Sequence, residues 1–507
     1  MYNDGNMSDY FSCNVGVRQG ENLSPLLFAI YLNDFEYFVS RKYDGLKTIS
    51  DDLRNNWDDP DTELFLRLYV LLYADDTIVM AESPDELQKA LKAVHGYCNE
   101  WNLTVNADKT KVVIFSRGKI RNRPKFMYGD RELDTVDSYV YLGVTFNYNG
   151  KFKVAIEKQI NQARKAMFSM LTKVQSLMLP VDIQVDLFDK LVLPVLLYGS
   201  EVWGCDDLAQ VEIFYRKFLK RTLCLASNTA NVMVYGEIGR FSVDSHVKLR
   251  MTGFWCRLKT GKQDKLSVIM YKLLRSMHYD QNNTFTSKWV KCMQGTYDEM
   301  GLSDIWSLEG NGFPENYIKS ALKRRIHDVN QQKWHSDVHE NSQCTFYRTF
   351  KEALVFEDYI NLLDRKDAIN LTKFRCRNHK LPVSRTKYPG YLPESIKCKL
   401  CNSNELGDEF HYLFKCKHLE NERKLYLGQT LFRSPNIFTI QRVMNDKSIH
   451  KLKKLAKFVA IILNKFRKES FINVHNTDVN IVADEQNTDR TASRSGRRIC
   501  RPIRLDL

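Results

Sequence analysis

The sequence of 507 residues predicts an α+β fold, an antiparallel sheet with packed helices followed by a mostly helical region and a small metal-holding module. Three observations predict it. Residues 1 to about 147 alternate strand-type and helix-type patterns. Beyond Gly150 the strand signal gives way to helical periodicity for nearly 200 residues. Between Cys398 and Cys416, cysteine and histidine recur at ligand spacing in a polar, turn-rich segment.

In chain order, "LSPLLFAIYLNDFEYFV" (Leu23–Val39) reads as one helix, with Ser24 and Pro25 suited to a cap and a first helical position. The run "LFLRLYVLLYADDTIVMA" reads as two strands around a tight turn at Ala74–Asp76, a hairpin with acid at its tip. Ser83, Pro84 and Glu86 form a capping-box start for a helix whose Leu87, Leu91, Val94, Cys98 and Trp101 share one apolar face. Strands are expected at Lys111–Ser116 and Tyr139–Phe146, with the basic stretch "RGKIRNRPKFMYGD" between them as a loop or hairpin. Helices follow over "AIEKQINQARKAMFSMLTKVQSL" and "VDIQVDLFDKLVLPVLLYGSEVWG", separated by Pro180, and later over "ALVFEDYINLLDRKDAINLTKFRC". A basic amphipathic helix is expected at Ile449–Phe466, its apolar stripe suited to docking on the preceding module, and the polar C-terminal residues read as a disordered tail.

A net charge of +14 favours polyanionic partners. The longest apolar runs are about half the ~20 residues a spanning helix needs, so no membrane segment is expected. The N-terminus lacks a basic region followed by an apolar one, which points away from secretion and toward an intracellular, nuclear or cytoplasmic location. In that setting the 12 cysteines serve metal binding more readily than disulfides.

Asp75 and Asp76 are the chemically informative pair. Aspartates at a turn are ordinarily solvated, but apolar strands on both sides set these at the edge of a buried sheet, where unpaired carboxylates are costly. Mg²⁺ relieves that cost, and paired metal ions are what nucleotidyl transfer uses to stabilise attacking and leaving oxygens.

"YADD" (Tyr73–Asp76) resembles the Y-x-D-D box of reverse transcriptases, and its neighbours resemble that family's blocks in the right order. "GVRQGENLSPLLFAIYLNDF" (Gly16–Phe35) is similar to the template-binding block of non-LTR, LINE-type retrotransposon enzymes; "WNLTVNADKTKVVIF" (Trp101–Phe115) resembles the following block, and "YLGVTF" (Tyr141–Phe146) the primer grip. The resemblance covers roughly residues 14 to 147 and implies a partial polymerase palm, then a helical thumb and connector. It implies that Asp75 and Asp76 ligate Mg²⁺, that Tyr73 packs beneath the primer terminus, and that Arg18, Gln19 and Gly20 face template or nascent base pair. Leu142 and Gly143 would contact the primer, and Lys109, with Lys111 as competitor, would assist the pyrophosphate leaving group. Implied partners are RNA template, DNA primer or target, and deoxynucleoside triphosphates.

The family's site uses a third aspartate ahead of the Gly16 block, and Asp4 and Asp9 show no F-x-x-D strand pattern. Little or no polymerase activity is therefore expected of this chain, the alternative function being non-catalytic nucleic-acid binding by a remnant or co-opted protein; an incomplete gene model would give the same sequence.

"CKLCNSNELGDEFHYLFKC" places Cys398, Cys401, His411 and Cys416 as a tetrahedral, structural Zn²⁺ set, with His418 as rival to His411. It resembles the C-terminal Cys/His segment of LINE-type proteins. Arg375, Arg377, Lys380, Lys397, Lys415 and Lys417 around it suit phosphate binding. The expected divisions are palm 1–147, helical thumb and connector 148–345, helical segment with zinc module 346–427, basic helical segment 428–470 and tail 471–507.

Overall fold

The computed structural model describes residues 2–3, 6–7, 23–43, 45–47, 67–68, 70–73, 76–262, 265–280, 285–387, 390–401, 403–428 and 434–467. Arg18, Gln19, Gly20, Asp75 and the tail 471–507 lie outside the described residues.

The segment expected as one helix is two, α1 (Ser24–Tyr31) and α2 (Phe35–Ser40). The break falls at Asn33 and Asp34, residues whose side chains compete with helical hydrogen bonding, and Asp34 Oδ1 accepts the Tyr97 hydroxyl at 2.6 Å. Phe35 and Val39 of α2 are buried with Tyr97 and Cys98 of α3 (Pro84–Glu100). Ser83 caps α3 by accepting the Glu86 amide at 3.2 Å, while the Glu86 carboxylate pairs with Lys89 at 2.8 Å.

Strands β1 (Val70–Tyr73) and β2 (Asp76–Val79) pair antiparallel with Tyr73 opposite Asp76. Asp76 thus opens the second strand instead of belonging to the turn. The strand expected at Lys111–Ser116 is two residues long, β3 (Lys111–Val112), running parallel to β5 (Arg131–Thr135), which pairs antiparallel with β4 (Phe126–Tyr128). Val112, Phe126 and Leu133 bury with Leu91 of α3. The Gln88 side chain clamps both backbone groups of Met127 at 2.8 Å, fixing α3 on this sheet.

The strand expected at Tyr139–Phe146 is a hairpin, β6 (Ser138–Tyr141) and β7 (Val144–Asn147), turning at Leu142 and Gly143. Both turn residues have positive φ, 47° and 77°, the pattern of a two-residue turn whose twist matches the strands. Leucine in that region costs about 1–2 kcal/mol. The body holds it there: the Tyr198 hydroxyl donates to the Leu142 carbonyl (2.9 Å) and Gln159 Nε2 to the Gly143 carbonyl (3.0 Å).

The rest is helical. α4 (Lys153–Leu177) ends before Pro180, and the next helical run stops at Gly199, whose φ is 73°. Then come α5 (Ala209–Thr222), α6 (Asn231–Ile238), α7 (Val243–Thr260), α8 (Glu315–Glu340), α9 (Arg365–Arg375), α10 (Glu420–Leu427), α11 (Ile437–Met444) and α12 (Ile449–Lys465). One buried apolar cluster runs from Ile156 to Phe466, and it includes Cys416 and the α12 stripe Leu452, Leu455, Val459 and Ile462. That stripe lies on α9 and α10. Among the described residues no helix is long and apolar enough to cross a membrane.

Candidate metal sites and nucleic-acid surface

The β1–β2 hairpin is tied at its open end, where Val79 and Ala81 pack against the α2–α3 core. Its other end carries Tyr73, placed here by its backbone register, and Asp76, whose carboxylate is exposed. Among the described residues Asp76 belongs to no group of three or more possible metal ligands.

Lys109 and Lys111 are distinguished by their partners. Lys111 Nζ sits 2.6 Å from Asp134, a surface ion pair across β3 and β5. Lys109 follows a turn made by Asn106, whose Oδ1 accepts the Lys109 amide at 3.1 Å; its ammonium is exposed and has no acidic partner among the described residues. The Tyr139 hydroxyl reaches the Lys109 carbonyl at 3.4 Å, linking this turn to β6. At the opposite end of that hairpin, Tyr141, Leu142, Val144, Phe146, Tyr198 and Arg250 wall a cleft of about 380 Å³. Leu142 and Gly143 thus form the tip of that hairpin, while the Lys109 turn is joined near its base through Tyr139.

Cys398, Cys401, His411 and Cys416 converge, their donor atoms all within 4.8 Å of one another. Sγ of Cys398 lies 3.5 Å from Cys401 Sγ and 3.9 Å from Cys416 Sγ, and His411 Nε2 lies 3.4 Å from Cys401 Sγ. Tetrahedral Zn²⁺ with ordinary bond lengths separates two sulfurs by about 3.8 Å and a sulfur from a nitrogen by about 3.6 Å. The donor set therefore fits a zinc ion in both chemistry and spacing. His418 stands apart from it, with Nε2 3.2 Å from Lys465 Nζ.

The backbone explains the convergence. The amide of Cys398 donates to Glu405 O at 2.8 Å and Lys397 bridges Leu406, bringing the first two cysteines beside the chain that leads to His411. A wide helical turn at His411–Lys415 closes with Cys416 N on His411 O at 2.8 Å, and the buried Arg423 guanidinium caps the carbonyls of Leu413 (2.7 Å) and Cys416 (2.8 Å). Burial raises the Cys401 thiol pKa, but hydrogen bonds from Ser403, Cys398 and His411 outweigh it and bring the thiol down to about 6. Burial raises Cys416 to about 12. A divalent cation supplies the charge that lets all three sulfurs ionise together.

Two supporting groups escape a reading by ligand spacing. Glu405 Oε2 lies 2.9 Å from His411 Nδ1, so the ring's Nε2 is left for the metal side. Glu409 is buried against His379 Nε2 at 2.9 Å, holding the helical turn that leads to His411 to the segment after α9. The expectation that Arg375 and Arg377 offer charge to phosphate is corrected: they are 0% and 5% exposed. Arg375 binds Glu237 and Glu357, and Arg377 donates to the Ser342 and Val383 carbonyls. Of the other expected cations, Lys380, Lys415 and Lys417 are exposed, and Lys397 is half-buried and paired with Glu394 at 2.8 Å.

Residues 2–146 match the family model described as reverse transcriptase (RNA-dependent DNA polymerase). The chain is 34% identical over 137 residues to an uncharacterized transposon-derived protein from Caenorhabditis elegans, covering 26% of this chain and 48% of that protein. It is 24% identical over 233 residues to the RNA-directed DNA polymerase from mobile element jockey of Drosophila melanogaster, covering 43% of this chain and 23% of that enzyme. A Pol polyprotein of the type-1 retrotransposable element R2 from Nasonia vitripennis is 27% identical over 154 residues, covering 28% of this chain and 13% of the polyprotein. The chain spans less than half the length of each of these relatives.

Proposed function

We propose, from the match of residues 2–146 to the reverse transcriptase family model and from relatives that include non-LTR retrotransposon polymerases, that this chain is a reverse transcriptase domain protein of a non-LTR retrotransposon, whose intact relatives carry out RNA-directed DNA synthesis at nicked target DNA. The observation that carries the reading is the β1–β2 register, in which Tyr73 faces Asp76 and only Ala74 and Asp75 stand between the paired ends. In this reading Asp75 and Asp76 hold Mg²⁺, which when bound supplies Lewis-acid stabilisation of the attacking and leaving oxygens. Tyr73, Leu142 and Gly143 position the primer, Arg18, Gln19 and Gly20 the template and nascent pair, and Lys109 offers a proton to the departing pyrophosphate. The Cys398, Cys401, His411 and Cys416 set holds one structural Zn²⁺.

Residues 1–147 then carry the later part of the palm, 148–345 the thumb and connector, 346–427 the helical segment with the zinc module, 428–470 the basic helical segment and 471–507 a tail. Work on RNA and chromosomal DNA sets the protein inside the cell, in nucleus or cytoplasm. A second reading, nucleic-acid binding without catalysis, is favoured by the net charge of +14.

Primer extension on an RNA template with deoxynucleotides and Mg²⁺ separates the two. Extension that Asp75→Asn abolishes supports catalysis and overturns the expectation of an inactive chain. Salt-dependent binding without extension, unchanged by Asp75→Asn, supports the second reading. A chain that binds no primer–template at low salt sinks both.

A further inference from the structure

The basic stretch between β3 and β4 is absorbed by none of these roles. It places Arg117, Lys119, Arg121, Arg123 and Lys125 at alternate positions, and the acids around it are divided unequally among them. Lys125 pairs with Glu132 at 3.0 Å. Arg123 binds Asp137 and also donates to the Thr135 carbonyl at 2.8 Å, so it staples the stem of the loop to β5. Lys119 reaches the same Asp137 only at 3.9 Å, and Asp134 is taken by Lys111. Arg117 and Arg121 are exposed and have no acidic partner among the described residues. Pinned at its stem and bonded to the hairpin base through Ser116 N and Tyr148 O (2.9 Å), the loop holds two exposed guanidiniums and is preceded by Phe115, 61% exposed, two residues before Arg117.

We propose that this loop is a contact surface for the phosphodiester backbone of a nucleic acid, with Arg117 and Arg121 as the phosphate-binding groups and Lys119 in support. A structural role would show these arginines paired, as Arg123 is. Two uncompensated guanidiniums on a loop that opens with an exposed aromatic residue instead match the composition of surfaces that track a polyanion, cations for phosphate and an apolar face for base or sugar. The position at the base of β6–β7 places the loop at the far end of the hairpin from Leu142, so it would hold the duplex away from the primer end. Such contacts position without reading sequence. The inference rests on the nucleic-acid reading above.

The test uses the full chain and labelled RNA, DNA and RNA–DNA hybrid duplexes of one sequence, with affinity measured by anisotropy across a salt series. Arg117→Ala with Arg121→Ala should lower the slope of log affinity against log salt by about two and weaken binding roughly tenfold to a hundredfold at about 0.1 M salt. The same loss on all three duplexes marks a backbone contact; loss on one alone assigns the surface to that duplex. Arg442→Ala with Lys447→Ala removes equal exposed charge and should leave the slope unchanged. An unchanged slope in the loop variant, an equal fall in the control, or a loop variant that loses only binding to phosphatidylserine vesicles overturns the proposal and leaves the function reading standing. A wild-type chain that binds no duplex overturns that reading first. Both arginines are exposed, so thermal unfolding of the variant should match wild type.

Discussion

Arg375→Met should destabilise the helical body by about 5 kcal/mol. The side chain is fully buried at the end of α9, where it binds Glu237 of α6 through paired contacts of 3.1 and 3.2 Å, Glu357 at 2.9 Å and the Met444 carbonyl at 2.9 Å. Its guanidinium also lies over the rings of Phe350 (4.5 Å) and Tyr359 (4.9 Å). Methionine fills much of the volume but leaves Glu237, itself 0% exposed, with only the Tyr359 hydroxyl at 2.5 Å among the described residues. Removing one member of a buried pair costs about 3–5 kcal/mol, and an orphaned buried carbonyl adds about 1–3. Glu357 keeps Lys351, which limits the total. Urea unfolding followed by tryptophan fluorescence measures the loss, and the Glu237→Leu/Arg375→Met pair should recover at least 2 kcal/mol of it, by the same reasoning about unpaired buried charge. A single-variant cost under about 1 kcal/mol, or no recovery in the pair, refutes the network's role in joining α6, α9 and α11.

One zinc per chain should bind with proton release, Co²⁺ in its place should show thiolate charge-transfer absorption, and Glu405→Ala should weaken affinity about 10-fold to 100-fold in chelator competition by freeing the His411 ring; unchanged affinity would deny Glu405 its positioning role. His246 is held neutral, its pKa lowered by burial and then by Arg240 and Arg250 to about 4 from 6.5. Its contribution is therefore full above about pH 6.5 and lost as pH falls toward 4, a difference of about 3 kcal/mol that His246→Gln should remove from the pH–stability curve; an unaltered acid limb contradicts it. At the hairpin tip the signs should be opposite. Leu142→Gly relieves a positive φ and stabilises by about 1 kcal/mol, whereas Gly143→Ala, with Tyr198 only 3.0 Å from the added carbon, destabilises by a similar or greater amount in thermal melts.

Local chemistry was legible where a few neighbouring residues decide it. The donor spacing from Cys398 to Cys416 is enough to bring the four ligands together, and the apolar runs around "YADD" are enough for the hairpin. Leu142 hid the second hairpin, because leucine is no turn signal and only Tyr198 and Gln159, supplied by the helical body, keep its backbone there. Arg375 looked like a surface cation because its partner Glu237 is 138 residues away in the chain.

The most direct test of the central claim is a crosslink from the primer's 3′ end. A photoreactive terminal nucleotide on an RNA–DNA primer–template, mapped by mass spectrometry, should mark Tyr73–Asp76 and the hairpin Ser138–Asn147. Crosslinks confined to other parts of the chain, with none at either hairpin, would contradict the assignment of a polymerase primer site to this fold.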